Sequence, residues 1–385
     1  MIHCFLRFKT IHYAYRTTDI LEKRFTALEG GAAGLAVSSG TSACFYSIIN
    51  LAEQGDNFVS SRNLYGGTYT QFNDILPKFG INANFVDICD LSAVKAAIND
   101  KTRAIFCETV SNPTLEISPL EELAAIANEA GIPLIVDDTF TTPYLCKPFD
   151  HGASIVCQSL TKWTGGHGTG IGGIVVDSGK FNWAGGKHPL FMEPDSSYGG
   201  LRWGTDLPDA LSPIAYILRM RVVPLRNLGA AISPDNSWMF LQGIETLPLR
   251  MERHCENALT VAEYLVERSD VVSWVRFPGL PDDTQYEKNQ KYLKGKGGSL
   301  VVFEIKGGAE MGKTFIDNLK LLRHVANVGD AKSLAINPAS TTHSQMSEEE
   351  QRLSGITPGL VRLSVGIETI DDILADIDQA LGTCV

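Results

Sequence analysis

From residue 34 onward, short apolar runs alternate with stretches of helical character, and this alternation narrows the possible folds more than any other feature of the chain. The runs at 34–37, 57–61, 84–88, 103–108 and 133–137 read as strands, and 41–53, 68–77, 91–99 and 120–130 read as the helices between them. Such strands are apolar along most of their length, as burial on both faces requires. Strand–helix alternation of this kind builds a mostly parallel sheet wrapped by helices. Runs at 154–159 and 173–177 extend the same layer, so one large sheet of seven strands is expected in an α/β protein.

Beyond Pro234 the pattern changes. Residues 251–268 read as one long amphipathic helix, 271–277, 299–305 and 361–366 as strands, and 371–381 as a last helix. This is the content of a smaller α/β unit, with the boundary placed near 243–247. The expected division is an atypical arm over 1–16, a large domain over 17–245 and a small domain over 246–385. Between residues 181 and 213 lies a stretch rich in Gly, Pro, Trp and Tyr that is too long for a routine connection. Its aromatic content favours an ordered, functional loop.

Composition removes several classes of function. Against 33 Lys and Arg stand 44 Asp and Glu, a net charge of −11, and an acidic surface repels a phosphate backbone. No nucleic-acid partner is expected. No run of about 18 apolar residues is present, which argues against a membrane span. The opening MIHCFLRFKTIHYAYR has no apolar h-region and does not read as a signal peptide. Eight scattered cysteines form no Cys-x-x-Cys pair, as fits reduced thiols in a cytoplasmic protein. The histidines have no metal-ligand spacing and no G-x-S-x-G is present, so neither a metal nor a Ser-His-Asp hydrolase is expected.

The segment SIVCQSLTKWTGGHGTGIGG is the most informative for chemistry. Lys162 follows an apolar strand and precedes a glycine-rich run, with Ser159 and Thr161 beside it. Burial lowers an amine's pKa, and a less protonated amine is what a Schiff base with a carbonyl cofactor needs. The bland alternative is a lysine snorkelling at a strand end, but the hydroxyls and glycines suit a phosphate docked nearby. Twenty-five residues upstream, IPLIVDDTF ends a strand in Asp137 and Asp138. Ligands of open α/β sheets bind at the carboxyl ends of the strands, where a carboxylate can keep a pyridine nitrogen protonated. Only one of the two acids can face such a ring, and a strand-end Asp also serves as a turn cap.

GLAVSSGTSACFYSII reads as strand, turn and helix, and the backbone N–H groups of Gly40 and Thr41 there make an anion seat, or merely an ordinary N-cap. The run from Gly168 to Gly173 formally satisfies G-x-G-x-x-G, yet a strand instead of a helix follows it, so close packing beside Lys162 is its expected job. Tyr65, in NLYGGTY, could stack on a planar ring or simply pack. Arg362, inside the apolar strand LVRLSVG, needs a partner, either a substrate carboxylate or a structural ion pair.

Taken together, LEGG, SSGTSA, NLYGGT, SNPT, VDDTF, QSLTKWTGGHG, LRMERHCENA, GDAKSL, PASTTHS and LVRLSVGIE resemble the cysteine and methionine metabolism family of pyridoxal-phosphate enzymes, from about Thr17 to the C-terminus. The insert over 181–203 and ANVGDAKSL look most like its O-acetylhomoserine sulfhydrylase branch. The resemblance implies an aminotransferase-like fold of type I, pyridoxal 5'-phosphate as cofactor, and a homotetramer built as a dimer of dimers. It implies that Lys162 bonds the cofactor aldehyde, Asp137 the pyridine nitrogen, and that Tyr65 stacks on the ring and assists proton transfer. Gly40, Thr41, Ser159 and Thr161 would seat the phosphate, Asn112 would lie against the cofactor hydroxyl, and Arg362 with Asn327 would hold the substrate carboxylate. The implied reaction is γ-replacement of O-acetyl-L-homoserine by sulfide or a small thiol. The alternatives are cystathionine γ-synthesis and γ-elimination from methionine or homocysteine. Where the γ-lyase branch resembles LYGCT, this chain has Gly67.

Two departures stand out. The family's VDNTF has Asp138 in place of the amide, which adds a negative charge near the site unless it points away. The family's N-terminal Y-x-R-x-x-N-P-T, whose Tyr and Arg reach the neighbouring subunit's phosphate, aligns here with Thr10 and His12, and only a shifted arm could bring Tyr13 or Arg16 into use. That departure supports a further alternative, a weakly active or inactive family member without the phosphate clamp.

Overall fold

The structure is a computed structural model that describes residues 15–341, 349, 351 and 355–384. Thr10, His12 and Tyr13, on which the arm comparison turns, lie outside the described residues. The first described helix is α1 (Arg16–Glu29), so Arg16 begins a helix. Its sequence is polar overall, but Leu21 and Phe25, one turn apart, are fully buried and hold it to the core. Then come β1 (Ala33–Val37), α2 (Gly40–Ile49), β2 (Asn57–Ser61), β3 (Asn82–Val86), α3 (Leu91–Ala97), β4 (Thr102–Glu108), α4 (Leu120–Ala130), β5 (Leu134–Asp137), β6 (Ile155–Ser159) and β7 (Gly173–Asp177).

These seven strands form one sheet in the order β1-β7-β6-β5-β4-β2-β3. Every pairing is parallel except those of β7, which runs against both β1 and β6. Hydrophobic clusters cover both faces, as the unbroken apolar strands require. The expected helix over 68–77 is instead a short α-helix, Gly66–Thr70, a π-turn, Gln71–Ile75, and a 3₁₀ turn, Leu76–Phe79. Pro77, which has no N–H to give, marks the last change. The aromatic stretch is ordered: Trp183 stacks on Phe191 at 4.5 Å and on Tyr216 at 5.0 Å, against one face of the sheet.

Two helices, α5 (Pro234–Glu245) and α6 (Leu247–Glu267), meet at Thr246. Helix α6 starts four residues earlier than the apolar pattern suggests, and Pro248 sits in its first turn, where a missing N–H costs nothing. It leads into β8 (Val272–Arg276), β9 (Leu300–Ile305), α7 (Gly308–Asn318), β10 (Arg323–His324), β11 (Leu334–Ile336), β12 (Leu360–Ser364) and α8 (Ile370–Leu381). The second sheet has the order β10-β11-β12-β9-β8. Buried Arg250 of α6 joins the two parts: its guanidinium donates to the carbonyls of Trp163 (2.6 Å), Thr164 (3.3 Å) and Gly243 (2.7 Å). Among the described residues, no helix is long and apolar enough to cross a membrane.

Candidate active site

In a parallel sheet the carboxyl ends of neighbouring strands open on the same side, and loops there are free to carry functional groups. Tyr65 follows β2, Glu108 ends β4 with Asn112 just beyond it, Asp137 ends β5, and Ser159 ends β6 with Lys162 three residues on. The turn after β1 leads through Ser39 into α2. The second sheet brings Arg362, on β12, and Asn327, between β10 and β11. All of these border one cavity of about 200 Å³. Each of the ten residues singled out in the sequence lines it: Gly40, Thr41, Tyr65, Asn112, Asp137, Ser159, Thr161, Lys162, Asn327 and Arg362.

One end of the cavity suits an anion. Ser39 caps α2, its Oγ accepting the N–H of Ser42 at 3.1 Å, which leaves the N–H groups of Gly40 and Thr41 at the helix start. A Cβ on Gly40 would lie 2.6 Å from the Ser159 Cβ, so only glycine lets this helix end approach β6 so closely. Gly173 is tighter still, since a Cβ there would collide with the Ser39 carbonyl. The glycine run beside Lys162 therefore serves close packing, and β7 follows it.

Asp137 Oδ1 accepts from the Thr139 N–H at 3.0 Å and the Thr139 hydroxyl at 2.5 Å. The Cys44 thiol approaches Oδ2 at 3.5 Å. Burial pushes the Asp137 carboxyl above its usual range, and the Thr139 bonds oppose this. Asp138 points the other way. Fully buried, it accepts from Thr109 (2.5 Å), from Thr141 and from the Gln158 amide (3.2 Å), whose nitrogen also reaches Glu29 at 2.7 Å. Burial drives its carboxyl far toward the neutral form. The Asp in place of the family's Asn thus adds no charge on the cavity side.

Lys162 Nζ donates to Asn327 Oδ1 at 2.5 Å. Burial, and then the charge of Arg362, lower its amine to about 8. Arg362 is 3% exposed; it donates from Nη1 to Asn112 Oδ1 (2.8 Å) and from Nη2 to the Asn327 carbonyl (3.3 Å). Its Nε has no hydrogen-bond partner, and it has no ion pair among the described residues. A buried guanidinium in that state can take a carboxylate in a bidentate grip. Tyr65 stands at the rim, 45% exposed, with its ring lying where a Cβ on Gly67 would be, 2.6 Å from Cε1.

Sequence reasoning did not single out Glu108, Cys44 or Thr139, which also line the cavity. Thr139 lies two residues past Asp137 in a motif already recognised, so an Asx-turn reading of DDT would have found it. Glu108 closes a strand that was recognised, but nothing local tells an inward acid from an outward one.

A sequence profile described as "Cys/Met metabolism PLP-dependent enzyme" matches residues 8–382. The chain is 53% identical over 370 residues to an O-acetyl-L-homoserine sulfhydrylase of Leptospira meyeri, covering 95% of this chain and 84% of that protein. It is 49% identical over 367 residues to O-acetyl-L-homoserine sulfhydrylase 1 of Thermus thermophilus, covering 95% and 86%. Among solved structures it superimposes with a TM-score of 0.92 and 41% identity on a Campylobacter jejuni protein described as an O-acetylhomoserine (thiol)-lyase, over 96% of this chain and 87% of that one. That structure carries a pyridoxyl-lysine phosphate.

Proposed function

Because the chain belongs to the Cys/Met metabolism family of PLP-dependent enzymes, we propose that it catalyses a γ-replacement, in which O-acetyl-L-homoserine and sulfide give L-homocysteine and acetate. A small thiol in place of sulfide gives the corresponding thioether, methionine being the simplest. The observation that carries this reading is the meeting in one cavity of a buried low-pKa lysine and a buried arginine whose Nε is unpartnered.

The residues present fit pyridoxal phosphate. The N–H groups of Gly40 and Thr41 at the start of α2, with Ser159 and Thr161 beside them, suit a phosphate, and glycine lets that helix end lie close against β6. Asp137 suits a pyridinium, whose positive charge would offset the cost of burying the carboxylate. Asn112 has its Oδ1 engaged by Arg362, which leaves its amide N–H for the cofactor hydroxyl. Tyr65 can cover a ring face from the rim. When bound, the cofactor supplies an electron sink for charge developing at the substrate α- and β-carbons.

On this reading Arg362 and Asn327 hold the substrate carboxylate and so orient the Cα–H bond. The Nζ of Lys162, lowered to about 8 and so able to exchange a proton near neutral pH, takes that proton and can return one further along the substrate. Tyr65 at the rim assists the later proton transfers, where acetate leaves the γ-carbon and the sulfur nucleophile arrives. The division of the chain follows: 17–245 would be the cofactor domain, 246–385 the domain that delivers Arg362 and Asn327, and 1–16 an arm. The break between α5 and α6 at Thr246 supports it. A homotetramer, a dimer of dimers, is the expected assembly. It is supported by exposed Trp238 and Leu249 near that break, and light scattering tests it. The free cysteines of the described residues fit a cytoplasmic setting.

The test is the visible spectrum of the purified protein with pyridoxal phosphate, wild type beside Lys162→Ala, followed by turnover of O-acetyl-L-homoserine. A yellow band absent from the variant, and acetate release that requires sulfide and yields homocysteine, are expected. Acetate release without sulfide accompanied by α-ketobutyrate would overturn the replacement assignment.

A further inference from the structure

Besides Asp137, Glu108 is the only acid lining the cavity among the described residues. It ends β4, while Tyr65 lies four residues past the end of β2 and Asn112 four past β4 itself. Strands β2 and β4 are parallel neighbours, so these two loops leave the sheet side by side. Glu108 sits at their root. It is 6% exposed, and its Oε1 accepts the Tyr65 N–H at 2.7 Å; the Asn112 backbone also donates to this carboxyl.

The Tyr65 carbonyl is engaged as well, accepting the N–H groups of Thr68 and Tyr69, both at 2.9 Å. The peptide is therefore pinned on both sides of the Tyr65 Cα, and only side-chain torsions are left to the ring. Asn112, in turn, holds Arg362. One carboxyl thus anchors the backbone of a ring-covering residue and of the residue that steadies the carboxylate-binding arginine.

We propose that Glu108 is a positioning residue of this site, whose carboxyl fixes the backbone of the Tyr65 and Asn112 loops and so sets where the Tyr65 ring lies over the cavity. The placement rests on geometry alone, while its effect on cofactor rests on the function proposed above. Glu108 and Asp137 are register partners across β4 and β5, and two adjacent buried acids do not both ionise cheaply. Burial, then Asp137, hold the Glu108 carboxyl well above the usual range, whereas Asp137 has three donors to support its charge. Glu108 therefore works through acceptor oxygen and needs no charge. A glutamine keeps one acceptor for the Tyr65 N–H and should do most of the same job.

The experiment compares wild type, E108Q, E108A and E108D by two readouts. One is the pyridoxal-phosphate dissociation constant from titration of the visible band. The other is amide hydrogen exchange in the peptide covering residues 62–70. In E108A, cofactor binding should weaken about 10- to 100-fold, as leaving a buried N–H unpaired predicts, with exchange at 62–70 rising by about tenfold. E108Q should stay within about fivefold of wild type in both, a rescue that a required anion would not allow.

An E108A protein with wild-type binding and exchange overturns the proposal. So does E108Q as impaired as E108A, or weakened binding with unchanged exchange at 62–70. If E108A does not fold, E108Q and E108D decide. The amide keeps its acceptor at the same reach while aspartate withdraws it, so E108D should be the weaker of the two, and the reverse order refutes the idea. A wild type that forms no visible band would count against the cofactor assignment, and exchange would still judge Glu108.

Discussion

Replacing Gly40 by alanine separates the stability of the fold from the affinity of the anion seat. The added Cβ would fall 2.6 Å from the Ser159 Cβ and 3.0 Å from its Cα and Oγ. Carbon atoms in contact sit about 3.5–4.0 Å apart, so about 1 Å of movement is needed. Ser159 cannot supply it: β6 is paired on both sides, and the Ser159 N–H is held by Thr139 at 2.9 Å. The start of α2 must retreat instead. Overpacking of this kind costs about 1–3 kcal/mol, and alanine returns about 1 kcal/mol through its better helix propensity. The net loss of fold stability is then about 0–2 kcal/mol. A phosphate at this helix end loses far more in proportion, because a 1 Å retreat breaks or stretches hydrogen bonds to a charged group worth about 1.5–3 kcal/mol each. A loss of about 2–3 kcal/mol corresponds to about 30- to 150-fold weaker pyridoxal-phosphate binding. Titration of the visible band measures the affinity, and urea unfolding of the apoprotein measures the fold. Binding within threefold of wild type in a folded G40A protein would refute the reasoning.

Three further outcomes follow from the same geometry. With the Lys162 amine lowered to about 8 by burial and Arg362, the rate at which apoprotein reacts with pyridoxal phosphate should rise as pH passes through about 8, and Arg362→Leu should move that midpoint upward by removing a like charge. For Asp138→Asn, unfolding by urea at several pH values is the measurement. The folded-state carboxyl is raised above an unfolded value of about 3.9, so the aspartate's contribution is intact below that pH and lost as pH rises. The asparagine protein should therefore gain on wild type between about pH 5 and 8 and show no gain near pH 4. Arg250→Leu leaves the Trp163 and Gly243 carbonyls without their donor and should cost about 3 kcal/mol in urea unfolding; a change below about 0.5 kcal/mol would mean that water replaces the guanidinium.

What could be read from the sequence was governed by the range of the interaction. Most strands of the large sheet were legible because burial on both faces writes itself into consecutive residues, as in IVVD and LIVD, whereas the partly exposed edge strand β3 lies two residues earlier than its apolar run suggests. Lys162 and Asp137 were legible because a strand end fixes the side of the sheet from which a side chain can act. Helix α7 escaped notice because it opens on two glycines, and β10 and β11 because two or three residues carry no period. Helix α1 escaped because its apolar face is only a few residues wide. Glu108 was hidden for a different reason. Its meaning lies in the adjacency of β2 and β4, with β3 at the sheet edge, and strand order is not a local property. The same holds for Asp138, whose direction is decided by Thr109 and Gln158 from two other segments together with Thr141 of its own turn.

Helix α6 has 21 residues, a span of about 31 Å at 1.5 Å per residue. Arg250 stands near its first turn, while Val261, Ala262 and Leu265 near its far end are packed into the core of the second sheet. A rod of that length fastened at both ends behaves as a lever. A tilt of a few degrees at the far end becomes a displacement of an ångström or more across the rod, and at the near end the fastening is to the carbonyl of Trp163, the residue that follows Lys162. Substitutions on the outer surface of α6, remote from any substrate, are thereby in mechanical register with the lysine, and a screen for altered turnover should recover some of them there.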